Sequence, residues 1–166
     1  MRQSPARELA GLRTGEPRGG ELRVSPGEDT GIASLPAAAE LELRVDFGRD
    51  AAWSLRLTAP GGGEHLGLLL SDGVLTVDRD HASRDPRARG GSYRMPLPGC
   101  RPHGTAGLRL VLDHSVLELF TDEGEALTLR CYPTGGSGWT LRSRGAAADD
   151  VRVGWRAYEL CVPEEG

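Results

Sequence analysis

The sequence predicts an all-β fold of two stacked antiparallel sheets. Three observations carry this expectation. Apolar and polar residues alternate in many short runs, the period of a strand with one dry and one wet face. Clusters of Gly, Pro, Asp and Ser separate the runs at about the 8–12-residue spacing of a sandwich or barrel. No segment sustains the 3.6-residue apolar period over the length that a stable helix needs. Because each strand has one wet face, two sheets packed face to face are favoured. On pattern alone, a closed barrel stays open as the alternative.

The elements follow in order. Residues 1–20 are rich in Arg, Gly and Pro, with Leu9 and Leu12 as a short apolar edge. They read as a linker or interdomain edge with one turn of helix, leaving residues 21–166 as the sandwich module. A short strand is expected over 21–24, then a turn at Ser25-Pro26-Gly27. In residues 40–47, Leu41, Leu43, Val45 and Phe47 point inward and Glu42, Arg44 and Asp46 outward. Trp53, Leu55 and Leu57 repeat the pattern before the break at Pro60-Gly61-Gly62-Gly63. Residues 66–70 and 74–78 form a hairpin across Asp72-Gly73, a preferred pair for a two-residue turn. Residues 81–91 are polar and form a loop, and Tyr93, Met95 and Leu97 resume a strand.

The most strongly patterned stretch is 108–133. Its three runs, joined at Asp113-His114-Ser115 and Thr121-Asp122-Glu123-Gly124, read as a β-meander. Leu110 and Phe120 are assigned to the core. After Gly135-Gly136-Ser137-Gly138 come a short strand at Trp139-Thr140-Leu141 and a last one opening on Val151, Val153 and Trp155.

One domain suffices for 166 residues. A net charge of −4 gives no electrostatic case for nucleic acid or an anionic membrane. Every basic residue is Arg, which reflects coding bias better than phosphate recognition. No apolar run is long enough to span a bilayer, and residues 1–20 lack the apolar core of a secretory signal. Cys100, Cys131 and Cys161 are odd in number and widely spaced, the pattern of neither a zinc site nor a disulfide framework. Cys131 is placed with Leu127 and Leu129 as a small buried hydrophobe.

A resemblance runs through these strands. Asp113-His114-Ser115-Val116-Leu117-Glu118-Leu119-Phe120, followed by Gly124-Glu125, resembles the D-x-S-x-V-E-V-F-x-x-x-G-E signature of the C-terminal β-sandwich of glycoside hydrolase family 32. That family contains invertases, levanases, inulinases and sucrose-phosphate hydrolases. Glu8-Leu9-Ala10-Gly11-Leu12-Arg13 is similar to its E-L-x-x-L-R opening, Glu40-Leu41-Glu42-Leu43 to its E-L-x-L strand, and Leu75-Thr76-Val77-Asp78-Arg79 to its L-x-L-D-R strand. The resemblance implies a jelly-roll-like (concanavalin-like) sandwich and makes Asp78, Arg79, Asp113, Ser115, Glu118, Phe120 and Gly124 its structural signature. It implies no cofactor. Its members are secreted or cytoplasmic.

Arg84-Asp85-Pro86 matches a tripeptide of the family's catalytic domain, but the nucleophile and acid/base motifs of that domain are absent. The coincidental reading is therefore preferred. Glu118, flanked by apolar residues on both strand faces, is expected to be partly buried. It is then either structural, paired with an Arg such as Arg79 or Arg130 or in contact with a partner domain, or a proton-transfer residue, the structural reading being preferred. His65, His81, His103 and His114 lack the spacing of a metal clamp. Trp53, Trp139 and Trp155 are assigned to the core, with a sugar-stacking platform as the alternative.

The resemblance thus implies a non-catalytic accessory module of a sucrose- or fructan-cleaving hydrolase. Its partner is a catalytic propeller domain in cis or trans, docked on one face of the meander, and the chain reads as a module cut at its boundary. The alternative is a free-standing, lectin-like domain that binds a fructan or sucrose-like sugar.

Overall fold

The computed structural model of the chain describes residues 2–50, 52–146 and 148–161. Met1, Ala51, Ala147 and residues 162–166, which fall in the segments expected as linker and sandwich, lie outside the described residues. A 3-10 helix at Arg7–Leu12 precedes the strands β1 Arg13–Val24, β2 Asp29–Leu35, β3 Ala38–Asp46, β4 Ala52–Thr58, β5 His65–Ser71 and β6 Val74–Asp78. They continue as β7 Ser92–Pro96, β8 Thr105–Asp113, β9 Val116–Thr121, β10 Ala126–Arg130, β11 Trp139–Gly145 and β12 Val151–Leu160.

Two six-stranded sheets result, ordered β1-β12-β3-β8-β9-β10 and β2-β11-β4-β5-β6-β7. Every pairing within them is antiparallel. The sandwich is therefore the architecture, and the barrel alternative is set aside. Arg18 of β1 donates to the Ser34 carbonyl of β2 at 2.8 Å, which ties one pair of sheet edges together. On the opposite side Arg79, in the connection from β6 to the edge strand β7, donates to the Arg130 carbonyl of the edge strand β10 at 2.8 Å.

Alternation sets the core as expected. Leu41, Leu43, Val45 and Phe47 from one sheet meet Trp53, Leu55 and Leu57 from the other, and all are buried. Trp53 is fully buried, so its indole N–H needs a partner, and it donates to the Ser143 hydroxyl at 2.6 Å. Asp72 and Gly73 both have positive φ (52° and 75°), as a two-residue turn that follows the strand twist requires. The 108–133 stretch is the expected meander, β8-β9-β10.

Two expectations are corrected. Phe120 is not a core residue. On β9 the inward side chains are Leu117 and Leu119, both fully buried, whereas Val116, Glu118 and Phe120 face outward and are half-buried. With apolar residues on both faces, the period leaves the register undetermined, and a one-residue choice swaps the faces. Leu110 is in the core, as assigned. Second, residues 13–20 are not linker-like but the first half of β1, paired to β12 from Arg13↔Leu160 onward with an irregularity between Thr14 and Arg18. The preceding turn of helix is present, as a 3-10 helix.

Candidate functional site

The outward face of the first sheet carries the densest polar structure of the molecule. Glu40, on β3, lies on that face yet is fully buried. Its carboxylate accepts two hydrogen bonds from Arg13, at 2.8 and 2.9 Å, and a further one from Arg109 of β8. Arg13 also reaches Glu42 at 3.0 Å, and its guanidinium sits 3.8 Å above the Tyr158 ring of β12. Burial alone would raise the Glu40 carboxyl, but the bonds and charges of the two arginines outweigh it and hold the group below the usual carboxylate range. Neither Glu40 nor its pairing was foreseen. The sequence signal was present, since Arg13 and Glu40 belong to the two quoted motifs, E-L-x-x-L-R and E-L-x-L.

Beside this cluster lies an open trough of about 670 Å³. Gly107 of β8 and Gly154 of β12 form its floor on either side of Arg44, with which both pair. Glu42, Arg109, Asp122 and Arg156 stand around it. A methyl group on Gly107 would collide with the Asp122 carboxylate, whereas one on Gly154 would meet nothing closer than 4.0 Å. A second depression of about 420 Å³ shares Arg109 and Asp122 with the first and is bounded by Phe120, Gly124 and residues 2–5. Gln3 donates to the Gly124 carbonyl at 2.9 Å and so lays the N-terminal segment along this rim.

The other signature residues serve turns and seams. Asp78 accepts from the Asp80 amide at 2.9 Å. Arg79 spends its guanidinium on the carbonyls of Arg130 and Gly90, with the Tyr93 ring centroid 5.2 Å away. Among the described residues, Glu118 therefore forms no ion pair with Arg79 or Arg130. That expectation is corrected: the Arg79 guanidinium is taken up by those two carbonyls, and Arg130 takes part there through its backbone. Asp113 bonds His114, which takes positive φ in the β8–β9 turn, and the Ser115 carbonyl accepts from the Cys131 amide. Gly124, at φ 88°, makes the β9–β10 turn.

A second buried carboxylate, Glu64, was also missed. It accepts the backbone N–H groups of Arg84, Thr134 and Gly135 at 2.6, 2.8 and 2.9 Å, and the Thr134 hydroxyl at 3.0 Å. One side chain thus pins the β4–β5, β6–β7 and β10–β11 connections together. Burial would raise this carboxyl, yet the converging donors lower it. Asp85 of the Arg-Asp-Pro tripeptide is bound by Arg87, which brings it down to about 2.

Sixteen residues apart in sequence, His65 and His81 stack with centroids 5.2 Å apart. Burial, then the charges of Arg56 and His81, push His65 below its ordinary value, against the pull of Asp78. Trp53 and Trp139 are buried, and Trp155 packs half-buried against the core under Gly20. The platform alternative therefore finds no exposed tryptophan.

The family model described as glycosyl hydrolases family 32 C terminal matches residues 8–154. Among solved structures, the chain is similar to the exo-inulinase of Aspergillus awamori, with a TM-score of 0.79, 18% identity, and coverage of 96% of this chain and 32% of that one. It is also similar to fructan 1-exohydrolase IIa of Cichorium intybus (0.72, 16%, 96% and 38%) and sucrose-6-phosphate hydrolase of Lactobacillus gasseri (0.66, 17%, 96% and 31%). At these identities the likeness is one of fold, and the chain spans about a third of the length of those proteins. No curated protein matches it. With the family model covering most of its length, this chain belongs to the family of C-terminal domains of the family 32 glycosyl hydrolases.

Proposed function

We propose that the chain is the non-catalytic accessory sandwich of a β-fructofuranosidase-type hydrolase, serving a catalytic propeller that cleaves sucrose or a fructan. The observation that carries this reading is the state of the buried carboxylates. Retaining hydrolysis needs one carboxyl group raised enough to donate a proton, about 5–5.5 Å from a second that attacks. Here Glu40 and Glu64 are both lowered, with their oxygens occupied by arginines in one case and by backbone donors in the other. Asp85 is lowered as well, beside Arg87. These groups are built to stay ionised and to hold strands and loops in place.

The substrate class follows from family membership and from the fructan- and sucrose-acting enzymes that share the fold. The partner is a propeller domain, in cis or in trans, and no cofactor enters.

The test has two arms. Incubated with sucrose, levan or inulin, the purified chain releases no fructose above a heat-killed control. Mixed with a family 32 propeller expressed separately, it sediments as a complex. Fructose release abolished by Glu118→Ala or Asp85→Ala would defeat the non-catalytic reading, and failure to form the complex would defeat the accessory one.

A further inference from the structure

We propose that the glycine-floored trough on the outward face of the first sheet binds a neutral, polyhydroxylated ligand, a short oligosaccharide. This goes beyond the accessory role, since it assigns the domain a ligand of its own. The two adjoining depressions, about 670 and 420 Å³, each lie in the range of small-molecule sites.

Their chemistry selects the ligand. Glu21, Glu42 and Asp122 face Arg44, Arg109 and Arg156, three carboxylates against three guanidiniums, so the trough offers no net field to attract an anion. Guanidiniums only donate and carboxylates only accept, whereas a hydroxyl does both. A surface that alternates the two suits a row of sugar hydroxyls. Among the described residues, Glu21, Asp122 and Arg156 make no side-chain ion pair.

Two further features fit. Arg109 is held by the fully buried Glu40, which fixes its orientation before any ligand arrives. Half-buried Phe120 supplies an apolar ring in the adjoining depression, where the C–H face of a sugar would rest while Asp122 takes its hydroxyls. With no Cβ on Gly154 and open space above it, the ligand approaches the backbone closely there, while the Asp122 carboxylate lies over Gly107.

The test is a titration of the isotope-labelled chain with 1-kestose and, separately, maltotriose, followed by amide chemical shifts. Either sugar should shift the amides of Gly107, Asp122 and Gly154 saturably. Gly154→Val builds up the floor at a position where an added Cβ meets nothing closer than 4.0 Å, and should abolish the effect. Asp122→Asn should weaken binding about tenfold, the loss expected for one charge-assisted hydrogen bond. Arg56→Ala, on the outward face of the other sheet, should leave binding unchanged. No saturable shift with either sugar would overturn the proposal. So would equal loss in Arg56→Ala, binding unaffected by Asp122→Asn, or tighter binding of inorganic phosphate at the same amides.

Discussion

Arg13 of β1 reaches across the intervening strand β12 to close a two-pronged bridge on Glu40 of β3. Tyr158 of β12 lies beneath the guanidinium and is the ladder partner of Glu40. With Arg109 on the far side, the cluster spans four adjacent strands, β1, β12, β3 and β8. Glu40→Ala would leave two guanidiniums facing each other over an emptied site. The expected cost is about 3 kcal/mol, the low end for a broken buried pair, because both arginines stay partly hydrated. A lower denaturant midpoint with an unchanged slope checks it.

The meander gives a paired test of register. Leu119→Ala should cost about 2–5 kcal/mol through lost burial and the cavity left behind, whereas Phe120→Ala should cost much less, its ring being only half covered. Equal losses in chemical denaturation would contradict the register.

Acid should weaken the fold in two stages. The folded pKa of His65 is lowered, so its contribution is complete above the unfolded value, about 6.5, and is lost as pH falls through it. Glu40 and Glu64 are also lowered, so theirs is complete above about 4.3 and is lost below it, as pH falls towards their folded values. Stability measured against pH should show both declines. His65→Asn should remove the upper one, and Glu64→Gln should shrink the lower.

Cys131 should resist alkylation. Burial pushes its thiol up to about 11, against an opposing pull from Arg79. At pH 8 its thiolate is scarcer than that of an ordinary cysteine by about two orders of magnitude, before access is considered. Mass-spectrometric labelling of native and denatured protein should show the site silent until unfolding.

What could be read from the chain divides along physical lines. Where apolar residues occupy one face alone, as at Leu41-Leu43-Val45 and Trp53-Leu55-Leu57, strand and facing were both legible. Around Phe120 both faces are apolar, and only packing against the opposite sheet decides between them. Residues 13–20 carry almost no apolar pattern. They become a strand because β12 presents a ladder to them, which no local signal announces. Glu40 and Glu64 look like ordinary polar positions, because what buries and satisfies them comes from residues between 20 and 71 positions away in the chain. The trough was illegible for the same reason: its two floor glycines are neighbours across β3 but 47 residues apart in sequence.

The strand order has a consequence for how the molecule is made. In the first sheet, β12 sits between β1 and β3, and in the second, β11 sits between β2 and β4. Each sheet therefore keeps an open slot until β11 and β12 have left the ribosome. A nascent chain stopped after residue 138 has neither inserting strand, so β1 and β2 have no neighbour and β3 and β4 each show a bare edge. Completion comes from the last two strands, whose pairings with the early ones are among the most distant in sequence and therefore the slowest to close. Until then the growing polypeptide offers unpaired edges to its surroundings.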